Sequence, residues 1–267
     1  MDKSKIKKFS YSVTWFSTLD IRNIYGFIFG WKRDYLSFDN LCDQLKNGKS
    51  FIRWGDGETA NLRGKSTWHQ LGNLQLSESL KRLIEYIQNN EDIVVFGIPK
   101  RAIEGSLLCR SEWPTWLLKI LWSTRILFNS RGFRALALRK VADAEIWYTN
   151  FKLLPWVFSE VLKIENRDVG LVCSNNFEKL FGETQSFKHF EILPRNAFDD
   201  YSVLREKVKN WTFECSNSPI LFLAGGSASK LLISENFPSL QIIDIGSGLK
   251  ALDHGKITRD WLSEETG

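Results

Sequence analysis

Asp168-Val169-Gly170-Leu171-Val172-Cys173, Ile220-Leu221-Phe222-Leu223-Ala224 and Gln241-Ile242-Ile243-Asp244-Ile245 decide the fold. Each is a short, nearly continuous apolar run. A strand covered on one face alternates apolar and polar residues, whereas a strand covered on both faces does not. Phe187–Leu193 reads as a further strand. Asn176–Phe181, Tyr201–Asn210 and the segment from Ser227 to Asn236 read as the helices between them. Strand and helix therefore take turns from residue 168 onward. That order predicts an α/β, Rossmann-like, mostly parallel sheet with helices on both faces. Ligands of such sheets bind beyond the carboxyl ends of the strands.

The same reading extends upstream. Phe38, Leu41, Cys42 and Leu45 form one stripe of a helix over 38–47, and Asn47-Gly48 ends it. Phe51–Trp54 and Ile93–Ile98 read as strands, and Ala144–Thr149 as another. Residues 77–89 read as a helix capped by Ser77, 114–140 as a Trp- and Arg-rich helical stretch, and Pro155–Ile164 as a helix. No repeat and no Pro/Ser-rich linker interrupts the chain. One domain is expected over 37–267, with a basic, aromatic extension over 1–36.

Composition narrows the function. The 267 residues are 43% hydrophobic and 25% charged, which excludes a disordered chain, a collagen and a coiled coil. The net charge of +5 suits phosphate-bearing ligands or an anionic membrane surface. No nucleic-acid-binding motif accompanies it, so no nucleic-acid partner is expected. Four cysteines with no Cys-x-x-Cys pair and three scattered histidines argue against a zinc cluster. They fit packed thiols in a reducing cytoplasm. In residues 1–36 the longest apolar run is Ile24–Trp31, eight residues, against about 20 for a membrane span. That extension reads either as a peripheral arm on the inner face of the cell membrane or as a helix packed on the domain.

Three segments fall at strand ends: Gly55-Asp56-Gly57-Glu58, Gly225-Gly226-Ser227 and Asp244-Ile245-Gly246-Ser247-Gly248. The first carries the sharpest chemistry. Gly55 and Gly57 allow close ligand approach. Asp56 and Glu58, two residues apart, offer hard oxygens suited to Mg²⁺ or Mn²⁺ held together with substrate phosphates. Arg53 can fork onto a phosphate. The plain alternative is a surface turn, since Asp-Gly is a common turn dipeptide. Gly225-Gly226-Ser227, between strand and helix, could supply amides to a diphosphate. Asp244 could act as a general base for the acceptor hydroxyl, could bind the donor ribose, or could simply cap the last strand. His69-Gln70 follows the acidic pair by about a dozen residues. His189 and His254 read as a packed and a solvated residue. Trp54, Trp68 and Trp147 could stack on a base or sugar ring, although most tryptophans of such a chain belong to its core. Arg125, Arg131, Arg134, Arg139 and Lys140 read as a solvated helix face or a phosphate-facing one.

Arg53-Trp54-Gly55-Asp56-Gly57-Glu58, followed by Leu62, Gly64 and Gln70, resembles the signature of the GT-D type glycosyltransferases. Val94–Pro99, Asn196-Ala197-Phe198, Ala224–Ala228 and Ile243–Gly246 resemble later segments of that family in the same order. Gly226 stands where the family often has Pro, and Ser247 where a His often follows. The resemblance implies a metal-dependent transferase moving a sugar from a nucleotide donor, expected to be a UDP-hexose. The acceptor it implies is a glycan or lipid-linked glycan of bacterial surface polysaccharide or glycoprotein assembly. It assigns the metal to Asp56 and Glu58; with the strand-end reading above, catalysis is expected of these two with Asp244, and donor binding of Arg53, Gly55, Gly57, Gln70, Gly225, Gly226 and Ser227. The alternatives are a metal-dependent nucleotidyltransferase or phosphohydrolase, and a non-catalytic module of a glycan-assembly complex.

Overall fold

The structure, a computed structural model, describes residues 35–67, 69–98 and 141–257, with Asp56 described through its backbone alone. The extension over 1–36 (apart from Tyr35 and Leu36), the helical stretch over 114–140 with its basic residues, Trp68 and Pro99 lie outside the described residues.

Seven strands pair in parallel in the order β3-β2-β1-β7-β6-β4-β5. They are β1 (Ser50–Arg53), β2 (Val94–Ile98), β3 (Ala142–Asp143), β4 (Asp168–Cys173), β5 (Ser186–Glu191), β6 (Ile220–Leu223) and β7 (Gln241–Asp244). Both faces of the inner strands β1, β2, β4, β6 and β7 are buried, as their apolar runs require, while the edge strand β5 leaves Ser186, Lys188 and Glu191 exposed. Phe51, Val95, Val169, Leu171, Ile220, Phe222 and Ile243 pack into one core. The helix α1 (Phe38–Lys46) joins that core through Leu41, Cys42 and Leu45. The residues of opposite parity, Ile52, Phe96, Val172, Leu221 and Ile242, are also buried.

The aromatic surplus of the sequence is largely core. Phe158, Phe181 and Phe222 form a three-ring cluster with centroids 4.9–5.3 Å apart. Trp147 stands edge-on to Phe51 at 5.6 Å, and Trp54 lies 6.1 Å from Phe96. Trp54 and Trp147 are both buried, so neither offers a face to a ligand.

Three local readings are corrected. Ala144–Thr149 is not a strand. The chain leaves the sheet after Asp143, whose Oδ1 accepts from the Glu145 amide at 3.0 Å, and α4 (Ile146–Thr149) follows. This side-chain turn takes a backbone donor that a ladder would need. The long helix starts three residues before Ser77. Here α3 (Leu74–Asn89) is capped by Asn73, whose Oδ1 accepts from the amides of Gln75 (2.7 Å) and Leu76 (3.3 Å). Ser77 instead donates to the Leu62 carbonyl at 2.6 Å. Third, the segment read as a helix over 155–164 is mixed. It runs as 3-10 at Phe151–Leu153, α at Leu154–Trp156 and π at Val157–Val161.

The remaining helices are α2 (Asp56–Leu62), α5 (Tyr201–Glu214), α6 (Ser227–Lys230), which tightens into a 3-10 turn over Leu231–Glu235, and α7 (Gly248–His254). His254 lies exposed in the last turn of α7. The His189 Nε2 lies 3.0 Å from the Cys173 carbonyl on the neighbouring strand. No helix of the described residues is long and apolar enough to cross a membrane.

At the opposite end of the sheet from the strand termini of interest, burial, with the Asp168 and Glu214 charges nearby, pushes the Cys215 thiol up to about 11. At pH 8 only about one thiol in a thousand would then be thiolate, and thiolate is the reactive form. Cys215 is therefore expected to react with a disulfide reagent far more slowly than a free cysteine at pH 8. Asp168→Asn should speed it. Labelling followed by mass spectrometry checks this, and a rate equal to that of free cysteine would refute it.

Candidate functional site

The middle of the sheet is where β1 and β7 lie side by side. From β1 the chain fills one half of the sheet with β2 and β3; strands β4 to β7 fill the other. The gap beyond the carboxyl ends of β1 and β7 is thus the topological switch point, where parallel sheets bind ligands. Three sequence segments meet there: the end of β1 with the turn into α2, the end of β7, and the start of α6.

Arg53 ends β1. Its backbone amide donates to Asp244 Oδ2 at 3.1 Å, and its Nη1 donates to the Ala144 carbonyl at 3.0 Å. Its Nε lies 3.5 Å from Asp244 Oδ1. Gly246, with φ +51°, gives the guanidinium room, since a Cβ there would overlap it. The next turn holds itself. The Trp54 indole donates to Thr59 Oγ1 at 3.2 Å, and that hydroxyl donates to the Gly55 carbonyl at 2.9 Å. The Gly55 amide donates to Glu58 Oε2 at 2.8 Å, which is one half of a capping box three residues into the helix. Gly-Asp-Gly-Glu is therefore the first turn of α2 rather than a surface loop. Among the described residues, nothing lies within 4 Å of a Cβ added at Gly57 or Gly226, so these residues leave room over both.

Beneath this turn lies a residue that the sequence reading missed. Lys230, on α6, reaches under the ends of all three segments. Its Nζ lies 2.7 Å from the Arg53 carbonyl oxygen, 2.8 Å from Asp244 Oδ2 and 3.1 Å from Glu58 Oε1. The side chains are 3% (Lys230), 1% (Asp244) and 11% (Glu58) exposed. Burial alone would push the Glu58 carboxyl up. The Lys230 charge and hydrogen bonds from Lys230 and from the Glu58 and Gly55 amides outweigh that, and hold it below the usual carboxylate range. Two carboxylates facing an ammonium and a guanidinium leave this buried group charge-balanced, which is the condition for burying charge at all.

The donor-side residues of the sequence reading are partly brought together. Ser227 donates to Asn61 Oδ1 at 2.8 Å, tying α6 to α2. Gly225 sits where a Cβ would overlap Ile192 and crowd Ser229, so it serves close packing. Gln70 stands apart from the Lys230 group. Its Oε1 accepts from the Phe198 amide at 3.2 Å, while Asn196 accepts from the Leu71 amide at 2.9 Å and donates its own amide to the His69 carbonyl at 2.7 Å. Gln70 and Asn196-Ala197-Phe198 thus form one clamp. Asp244 is fully buried and held by Lys230 and Arg53, so in this arrangement it joins strand ends and shows no oxygen to an acceptor.

The oxygens of this group are already taken up by protein donors. Both Glu58 oxygens already have partners, an ammonium and a backbone amide. The three oxygens that converge at this point surround Lys230 Nζ at 2.7–3.1 Å, the spacing of charge-assisted hydrogen bonds. Among the described residues no group of three or more His, Cys, Asp and Glu could hold a metal. Glu58 therefore does not fit as a metal ligand here.

Comparison with known proteins agrees with this architecture. A family model described as the glycosyltransferase GT-D fold matches residues 51–260. Among solved structures, "A New Glycosyltransferase (DUF1792) from Streptococcus sanguinis" is similar with a TM-score of 0.60 and 18% identity, covering 85% of this chain and 87% of that one. A structure described as "The highly conserved domain of unknown function 1792 has a distinct glycosyltransferase fold" is similar with a TM-score of 0.61 and 17% identity, covering 84% and 83%. No curated protein matches. The match spans most of the chain, with the Gly55–Glu58 turn, the Gln70 clamp and the β7 end all inside it: the chain belongs to the GT-D glycosyltransferase family.

Proposed function

We propose that this glycosyltransferase moves a hexose from a UDP-hexose to a glycan acceptor in the assembly of bacterial surface polysaccharide or glycoprotein. The observation that carries the reading is the meeting of Arg53, the Gly55–Glu58 turn and Gly226-Ser227 at the switch point of a parallel sheet. Transfer breaks the bond between the anomeric carbon and the diphosphate oxygen. The acceptor hydroxyl oxygen forms the new bond and loses its proton, and UDP leaves. The site has to bind the diphosphate and stabilise the charge that builds on it. The room that the described residues leave over Gly57 and Gly226 would admit phosphate oxygens close to the backbone. The partly exposed Arg53 guanidinium supplies a positive charge beside that space.

A Mn²⁺ or Mg²⁺ ion would come with the donor diphosphate and reach the protein through Asp56 rather than Glu58. Ions of this kind are often held by one carboxylate plus substrate phosphates. The acceptor would be a glycan or a lipid-linked glycan, and the basic aromatic residues 1–36 would give the enzyme peripheral contact with the inner membrane face.

The test is a thermal-shift panel of nucleotide sugars with and without Mn²⁺, since a ligand that binds only the folded state raises its melting temperature. UDP-hexoses are expected to give the largest shift. Asp56→Asn should remove the metal-dependent part of it and lower transfer at least about a hundredfold, the scale of losing one transition-state charge contact. Full transfer by that variant, or release of phosphate or pyrophosphate instead of UDP, would count against the assignment.

A further inference from the structure

The Asp-x-Glu pattern leads one to expect a metal between carboxylates, yet a lysine stands there. Lys230 Nζ faces three oxygens, from the end of β1 (Arg53 O, 2.7 Å), the end of β7 (Asp244 Oδ2, 2.8 Å) and the first turn of α2 (Glu58 Oε1, 3.1 Å). These come from positions 53, 244 and 58, and the Lys230 ammonium is within 3.1 Å of all three. Three hard oxygens around one centre form a cation cage, and here the cation is covalently part of the protein. Its side chain is 3% exposed, so its charge is met chiefly by these protein oxygens. The surrounding residues confirm that the position is built. Ala228, Leu231, Leu232 and Ile233 are buried around it, so Lys230 is not one member of a polar helix face.

We propose that Lys230 is the resident cation of this site, occupying the place between Glu58 and Asp244 where a divalent ion would otherwise bind. Glu58 is then an anchor and helix cap, and no divalent ion binds through it while Lys230 is present. By joining the ends of β1, α2 and β7, Lys230 is a positioning residue that fixes the turn carrying Asp56. Its effect on sugar transfer rests on the transferase reading above, whereas its place as the cation of the cage does not. Cation binding and melting temperature, measured without any sugar donor, therefore judge the two separately.

Lys230→Ala leaves two buried carboxylates facing an empty cage. In EDTA its melting temperature should fall by roughly 10 °C, the scale of breaking a buried ion pair. Mn²⁺ or Ca²⁺ should restore part of that loss, and calorimetry should show Mn²⁺ binding at least about tenfold tighter than in the unmodified protein, as two added carboxylate ligands would give. A merely structural lysine would show no cation rescue. Adding Glu58→Gln to Lys230→Ala should abolish the rescue. With Lys230 intact, Glu58→Gln should leave Mn²⁺ affinity unchanged. The proposal is overturned if Glu58→Gln alone removes Mn²⁺ binding, or if Lys230→Ala gains no cation binding. Should Lys230→Ala not fold, Lys230→Met is compared with Lys230→Met/Glu58→Gln. The double variant, which has one fewer buried negative charge, must be the more stable of the two, and a double variant no more stable than the single refutes the pairing.

Discussion

Asp244→Asn is expected to destabilise the protein by about 3–5 kcal/mol, although Asn has almost the same shape as Asp. The carboxylate is fully buried and meets the Lys230 ammonium at 2.8 Å and the Arg53 backbone amide at 3.1 Å, with Arg53 Nε at 3.5 Å. The amide side chain can still accept from the Arg53 amide. It cannot neutralise a buried ammonium, and its NH₂ would face a positive charge. What is lost is therefore the charge balance of the group, not a contact area. In a domain of this size the change corresponds to a fall in melting temperature of roughly 10 °C. Asp253→Asn is the matched control. Asp253 pairs with Lys179 at 2.9 Å, but the lysine side chain is 73% exposed. Such a surface pair is worth about 0–1 kcal/mol. Equal effects of the two substitutions in urea or thermal unfolding would show that Lys230 does not depend on Asp244 for its burial.

The same group shows what could be read in the sequence and what could not. The strands at 168–173, 220–223 and 241–244 were legible because burial on both faces leaves unbroken apolar runs, and helical crossovers put their carboxyl ends on one side. Asp244 and Gly55–Glu58 were legible as candidates because they follow such runs directly. Lys230 was not, because lysine ordinarily marks the solvated side of a helix. One signal was available. Ser227-Ala228-Ser229-Lys230-Leu231-Leu232-Ile233 has only small or apolar residues around its single charge, so that helix has no polar face on which Lys230 could be solvated. The Asp143 turn that ended β3 and the Asn73 cap that started α3 early are side-chain hydrogen bonds of single residues. Periodicity does not contain such information, so the boundaries moved although the elements largely remained. Glu58 illustrates the deeper limit. The sequence told that two acids lie two residues apart, but which cation one of them meets depended on a residue 172 positions later, since 230 − 58 = 172.

Gly246→Ala should impair the site more than its effect on stability suggests. Gly246 has φ +51°, the left-handed region, in which a residue with a Cβ costs about 1–2 kcal/mol. Gly255, at φ +65°, carries the same backbone requirement at the end of α7. The two differ in what a methyl group would meet. At Gly255 no described residue lies within 4 Å, whereas at Gly246 the methyl would overlap the Arg53 guanidinium. That guanidinium is the flexible end of a side chain, so it can move at little cost in packing. In moving it must leave the Ala144 carbonyl and Asp244, and with them the position beside the room left over Gly57. Gly255→Ala should therefore lower the melting temperature by roughly 3–6 °C and Gly246→Ala by more, because it also takes the guanidinium off Asp244 and the Ala144 carbonyl. Only Gly246→Ala should weaken the thermal response to UDP, by at least about tenfold in apparent affinity, the scale of losing one charge-assisted contact. A double-mutant cycle isolates the cause. If the methyl acts by displacing Arg53, then in an Arg53→Ala background Gly246→Ala has nothing left to displace, and its effect on UDP binding should vanish. A Gly246→Ala penalty that persists undiminished without the Arg53 side chain would mean that the backbone of the β7 turn itself, and not the arginine it accommodates, meets the ligand.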